Sequence, residues 1–345
     1  MRAAIIKSAG NVSVETVDDP TPGSGEVIVE VAACGLCGTD LHILDGEFAP
    51  SLPVIPGHEF AGRIVALGPD ALDVREGDRV AVDPSLYCNQ CHYCRIGHNN
   101  LCLRWGAIGV TEPGGAAQYV AVPAANCARL PDHIETADAT LIEPLSCAVR
   151  GYDVLRSQLG SHVLIYGAGT MGLMMLELAK RVGAVSVDIV DVNPDRLTVA
   201  RQLGCSNAAT SADVLEQPYG WELVVDATGN DKAIQDGLGR VAPAGTFLQF
   251  GVAAYAARAT IEPYKIYNQE ITITGSMAVL HSFERAGALF AAGVLRADVF
   301  ISDRYPLDRY GEALSRFRSG AGRKHQIVAT GRVRTAADAA EAGRR

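Results

Sequence analysis

No apolar run in the 345 residues approaches the ~18 to 20 that a bilayer-spanning helix needs. In the opening "MRAAIIKSAG", Lys7 interrupts the apolar stretch and no small-residue cleavage site follows, so neither a membrane nor a secretory route is expected. No run of Lys or Arg forms a stripe able to neutralise phosphates. Acidic residues outnumber basic ones 39 to 30, a formal net charge of −9, which argues against a nucleic-acid partner. No internal repeat is visible. Cysteine is sparse, at nine residues, and in the cytoplasm expected here it reads as metal ligand or buried thiol rather than disulfide. What remains, 48% hydrophobic and 20% charged residues, is ordinary globular composition on a chain long enough for two domains.

The first third holds short alternating stretches, "RAAIIK", "VSVETV" and "EVIVEVAACG", broken by Gly and Pro, which predict a mainly β domain. From about residue 147 apolar runs alternate with helical stretches: "HVLIYGAG", "TMGLMMLELAKRVG", "VSVDIVD", "NPDRLTVARQLG". Strands separated by single helices predict βαβ crossovers and a parallel sheet. After Ser276 a helix over "HSFERAGALFAAG", a strand at "VFISDRYPL", a helix over "DRYGEALSRFRSG" and a last strand at "KHQIVAT" are expected. The tail 331–345 is expected to fray.

"YGAGTMG" places Gly167, Gly169 and Gly172 as G-x-G-x-x-G after an apolar strand and at the start of a helix near Thr170 and Met171. This is the pattern that turns tightly, admits a pyrophosphate and packs helix on strand. Asp191 ends the next strand, 19 residues beyond Gly172, where a carboxylate can bond the adenine ribose and repel a 2′-phosphate. NAD is therefore favoured over NADP, with Arg196 the residue that keeps NADP in view. Phe250, Gly251 and Val252, at the end of the run "GTFLQFGV", are counted with the cofactor-binding residues.

Cys88, Cys91, Cys94 and Cys102 follow C-x2-C-x2-C-x7-C, a spacing that lets four thiolates enclose a tetrahedral Zn²⁺; an iron–sulfur cluster or metal-free thiols are the alternatives. His92 and His98, inside the loop, read as surface residues. A catalytic metal needs about three mixed ligands and an open place. Cys37 in "CGLCGTDLH", His58 and Glu59 in "PGHEFAG", and Glu143 in "LIEPLSC" are candidates that no spacing rule unites, so on chemistry alone a core thiol, a satisfied imidazole and surface glutamates are the favoured reading. Cys34 and Cys37 also form C-x-x-C, a redox spacing. Its place in the β-rich part makes Cys34 a buried thiol instead.

Together, "CGTDLH", "GHEFAGRIVALG", the four-cysteine run and "YGAGTMG" with Asp191 resemble, in order, the zinc-dependent medium-chain dehydrogenase/reductase family, over residues 1 to about 330. The resemblance implies an α/β protein: a GroES-like β-barrel catalytic domain (1–146 and 284–345, with the structural zinc lobe at 88–102) plus a Rossmann doubly wound parallel sheet binding NAD (147–283). It implies two zinc ions per subunit, one structural on the four cysteines and one catalytic on Cys37, His58, Glu59 and Glu143. Thr39 and His42 take the place of the family's proton relay, and Glu59 is counted with them as catalytic. "EPLS" resembles the sorbitol and polyol branch, where threonine dehydrogenases carry Asp-Pro-Phe-Gly. The branch's Tyr and Arg-Tyr pocket residues fall at Ile43, Ala278 and Val279, so sorbitol itself is not expected, and His281 is a replacement polar contact. The expected activity is NAD-dependent interconversion of a polyol, sugar alcohol or other secondary alcohol with its ketone, by a cytoplasmic homotetramer or dimer. The alternatives are a dehydrogenase of an amino alcohol, cyclitol or phosphorylated sugar, and a non-catalytic NAD or zinc sensor.

Overall fold

The computed structural model describes residues 1–47, 52–155 and 157–330. The alternating N-terminal stretches become strands β1 (Arg2–Ser8), β2 (Asn11–Thr16) and β3 (Glu26–Gly35), the short helix α1 (Gly38–Leu44), then β4 (Glu59–Leu67), β5 (Arg79–Val82), β6 (Ser85–Leu86), α2 (His92–Arg95), β7 (Gly106–Ala107), β8 (Tyr119–Pro123) and β9 (Cys127–Arg129). Helix α3 (Ile142–Leu155) leads into β10 (His162–Tyr166), α4 (Thr170–Arg181), β11 (Ser186–Val190), α5 (Pro194–Gln202), β12 (Asn207–Ala209), β13 (Trp221–Asp226), α6 (Asp231–Arg240), β14 (Val241–Gln249), α7 (Pro263–Asn268) and β15 (Thr272–Gly275). The chain then gives α8 (Phe283–Ala291), α9 (Ala297–Phe300), β16 (Ile301–Pro306), α10 (Tyr310–Arg318) and β17 (Lys324–Val328). The expected tail 331–345 lies outside the described residues. Among those described, no helix is long and apolar enough to cross a membrane.

Two compact units result, one from Met1–Pro144 and the chain from Phe283, the other from Leu145–Ser282. The first carries a seven-stranded sheet in the order β16-β17-β3-β4-β5-β9, with β8 also on β3. Its core is Val27, Val29, Val31, Phe60, Ile64, Val80, Val82, Val120 and Val122, all buried, each such side chain contributing ~1.5 to 3 kcal/mol. β3 is buried along nearly its whole length because it pairs with β4, β8 and β17, which is why "EVIVEVAACG" loses strict alternation at its end. Antiparallel register sets Gly35 opposite Glu59 on one side and Gln326 on the other, so strands far apart in the chain flank the same end of β3.

The second unit is a six-stranded sheet ordered β12-β11-β10-β13-β14-β15, parallel throughout. Central β10 and β13 have continuous apolar runs because helices cover both faces of such a sheet. Leu164, Val224, Val241 and Phe247 form the core beneath α6. The sequence reading did not contain α3: its stretch "IEPLSCAVRGYDVL" carries Pro144 in the first turn, where a missing N–H costs nothing.

Candidate metal centre and dinucleotide site

Cys37 is the N-cap of α1. Its own N–H donates to the Asp40 carboxylate at 2.8 Å, the backward arm of a capping box, which fixes the turn that carries the thiol. His58 and Glu59 stand where the chain enters β4, so three side chains from two separate stretches meet beside the end of β3 and the start of β4. One ligand atom from each of Cys37, His58 and Glu59 lies within 4.8 Å of the others. His58 is 7% and Glu59 1% exposed. His58 Nδ1 and Glu59 Oε2 have no hydrogen-bond partner among the described residues, a costly arrangement for buried polar atoms.

The charge around the imidazole is also unbalanced. Burial opposes a charged His58, yet the Cys37 thiol and the Asp40 and Glu143 carboxylates outweigh it and hold its pKa well above the ordinary value. A half-buried thiol with a buried imidazole and carboxylate, converging amid negative charge, suits a divalent cation with a fourth position open, the donor set of catalytic zinc. Glu143, the remaining expected ligand, is buried on the first turn of α3 but outside this close group. Its charge still reaches His58 and Lys324.

Two participants escaped the sequence reading. Asp40, buried and with its pKa raised by that burial, was visible only as the middle of "CGTDLH". Lys324 was read only as part of a strand, and its ammonium donates to Glu59 Oε1 at 2.6 Å. The signal for both was a charge inside an otherwise structural stretch. Thr39 Oγ1 lies 3.8 Å from Cys37 Sγ, and His42, one turn further along α1, is paired through Nδ1 with the Glu47 carboxylate. Cys34 is fully buried, its thiol pKa pushed well up by that burial and by Asp40 and Glu59.

In the four-cysteine loop the sulfurs of Cys91 and Cys94 are 3.6 Å apart, Cys91 and Cys102 3.9 Å, and Cys102 and Cys88 3.5 Å. A zinc–sulfur bond of ~2.3 Å in a tetrahedron places sulfurs ~3.8 Å apart, so the cage fits. Backbone N–H groups of Cys88, Cys91 and Arg104 donate to the sulfurs. Cys88 is lowered to about 5, chiefly by the Gln90 N–H and by Arg104, while burial pushes Cys94 up to about 12. His92 and His98 are exposed. None of the nine cysteines, all within the described residues, is in a disulfide.

In the second unit Gly167 turns the chain with φ +98°, and a Cβ at Gly172 would lie 1.7 Å from Gly167 O, so only glycine permits α4 to start this close to β10. Gly169, the N-cap of α4, has nothing within 4 Å of an added Cβ. That empty side and the uncapped N–H groups at Thr170 and Met171 leave the start of α4 open to an anionic group. Asp191 bonds both halves of the loop, Oδ2 accepting from the Ala168 N–H at 2.7 Å and Oδ1 from the Asn193 N–H at 2.8 Å, with Arg196 Nη1 3.6 Å from Oδ2. Phe250 and Gly251 donate to the Asp226 carbonyl at the end of β13, and Val252 is exposed beyond them.

Of the residues expected to distinguish the substrate, Ile43 is fully enclosed in an apolar cluster with Ile6, Val54, Ala107 and Val110. Val279 is buried in the second unit, whereas Ala278 and exposed His281 adopt left-handed backbone at φ 49° and 51°.

Residues 23–132 match the alcohol dehydrogenase GroES-like domain and residues 170–292 the zinc-binding dehydrogenase family. The chain is 37% identical over 330 residues to D-arabinitol dehydrogenase 1 of Uromyces fabae, covering 92% of this chain and 94% of that one. It is 34% identical over 292 residues to D-altritol 5-dehydrogenase of Agrobacterium fabrum, covering 82% and 86%. A zinc-binding dehydrogenase from Sinorhizobium meliloti bound to NADP superposes with a TM-score of 0.91 at 31% identity, covering 95% of this chain and 98% of that chain. With the two domain matches and full-length relatives agreeing with the geometry, the chain belongs to the zinc-dependent medium-chain dehydrogenase/reductase family, in its polyol dehydrogenase branch.

Proposed function

We propose that this protein oxidises a secondary hydroxyl of a polyol or sugar alcohol to the ketone with NAD⁺, and catalyses the reverse, using one zinc ion on Cys37, His58 and Glu59 and a second, structural one on Cys88, Cys91, Cys94 and Cys102. The convergence of three donors, two of them buried with orphaned polar atoms, carries this reading. Zinc at the three-residue centre supplies Lewis acidity that lowers the pKa of an alcohol hydroxyl. Thr39, beside Cys37, holds the proton end of that hydroxyl. His42, partly exposed and paired with the Glu47 carboxylate, receives the proton and passes it to solvent. Asp40 fixes the turn that carries Cys37, and Glu143 contributes negative charge behind His58.

Gly167, Gly169, Thr170, Met171 and Gly172 cradle the pyrophosphate, and Phe250, Gly251 and Val252 flank the dinucleotide. The nicotinamide is the hydride acceptor. Asp191 selects NAD over NADP by charge, although the Sinorhizobium relative was crystallised with NADP and Arg196 stands beside the carboxylate. We further propose a cytoplasmic homotetramer or dimer, supported by β15 at the edge of its sheet and by the exposed Tyr255, Tyr264, Tyr267 and Ile273. The test is initial rates of NADH formation with pentitols, hexitols, their phosphates and cyclitols, repeated with NADP⁺. An unphosphorylated polyol turned over preferentially with NAD⁺ is expected. Protein that carries two zinc ions yet reduces NAD⁺ with no alcohol would overturn the enzyme reading in favour of a sensor.

A further inference from the structure

Lys324 is a charge that the chemistry above does not use. The residue is 3% exposed and its ammonium has two acceptors, Glu59 Oε1 at 2.6 Å and the Leu36 carbonyl at 3.0 Å. β17 lies against β3, and β3 against β4, so the last strand reaches across to a side chain 265 residues earlier. Gly35 makes the room. A Cβ there would stand 2.3 Å from Glu59 Oε2 and 3.3 Å from Lys324 Cδ, so any larger residue would displace the carboxylate.

Resting on the reading of Cys37, His58 and Glu59 as a metal centre, we propose that Lys324 is a positioning residue that ties up Glu59 Oε1, so that Glu59 meets the metal through Oε2 alone. A carboxylate can bind a cation with one oxygen or with both, and the second mode would fill the place an alcohol needs. Three observations oppose that second mode. The Lys324–Glu59 bond is charge-assisted and short. The Leu36 carbonyl anchors the ammonium, so it cannot follow a rotating carboxylate. Both charges are buried, so bulk water cannot readily replace the lysine on Oε1.

The test uses the full chain loaded with cobalt(II) in place of zinc, with the bands of the four-cysteine site as internal reference. In Lys324→Met and Lys324→Gln, whose side chains end short of Oε1 or cannot donate to it, Glu59 is expected to engage through both oxygens. The visible bands of the Cys37 centre should then fall by about half or more as coordination rises above four. In a Glu59→Gln background, where an amide oxygen binds singly, the same changes at Lys324 should leave the bands where Glu59→Gln puts them. Wild-type bands in either single variant would overturn the proposal, as would an equal effect in both backgrounds. Should Lys324→Met fail to fold, Lys324→Gln decides. Failure of the underlying reading looks different: wild-type protein would then take up cobalt at the tetrathiolate site only.

Discussion

Gly169 and Gly172 sit three residues apart in one loop and answer to different constraints. The added Cβ at Gly172 collides with the Gly167 carbonyl, and neither is the end of a flexible chain, so Gly172→Ala should destabilise the second unit by about 3 kcal/mol or more and lower its melting temperature. Gly169→Ala meets open space. Its melting temperature should match wild type while NADH affinity, read by fluorescence titration, weakens about tenfold, ~1.4 kcal/mol. Asp191→Ser removes the charge that opposes a 2′-phosphate, and the ratio of kcat/KM for NADP⁺ over NAD⁺ should rise about tenfold or more, again ~1.4 kcal/mol. These glycines and Asp191 were legible because local chain geometry dictates them: a turn, a close approach and a strand end all leave marks within a few positions. Lys324 and Asp40 were not. Their roles come from what β3 and β4 bring beside them, and nothing in "KHQIVAT" announces a buried cation.

Elements show the same division. Strands β10, β11, β13, β14 and β15, with α4 and α5, could be read from period, because a parallel sheet covered on both faces demands apolar runs, whereas the three-residue β12 and helices α6 and α7 were not read. α3 was missed because it is buried nearly all round, so Glu143 and Ser146 sit inside rather than marking a solvent face, and its early proline suggested a break. The four-cysteine loop holds little regular structure, one turn of helix and one of 3₁₀, so its shape depends on what the sulfurs bind. Cys94→Ser is therefore expected to expose residues 88–102 to limited proteolysis while NADH binding persists; protection equal to wild type would contradict a structural ion there. The pH dependence follows from Cys88, whose folded pKa is below the ordinary 9.0. Its contribution is complete above that value and disappears as pH falls through about 5. Zinc release from the loop, followed with a colorimetric chelator, should accelerate as pH falls, because protons compete with the ion for the four sulfurs.

The whole molecule joins two units with different demands. The first supplies the three-ligand centre and the four-cysteine loop, and the second supplies the dinucleotide loop. If β15 pairs with its counterpart in a second copy, Ile273→Lys should reduce the sedimenting species by half at micromolar concentration; a wild-type monomer would remove the premise. Family membership was legible because four separated motifs occur in order, while the substrate was not, since the positions that differ from sorbitol-specific relatives are apolar or left-handed backbone without a distinctive polar group.

The central claim, that Cys37, His58 and Glu59 hold a metal ion of their own, is tested most directly by elemental analysis of zinc per chain in wild-type protein and His58→Ala. Two zinc ions in the first and one in the second, the survivor still on the four cysteines, are expected. A single ion in wild type, or two retained without His58, would contradict it.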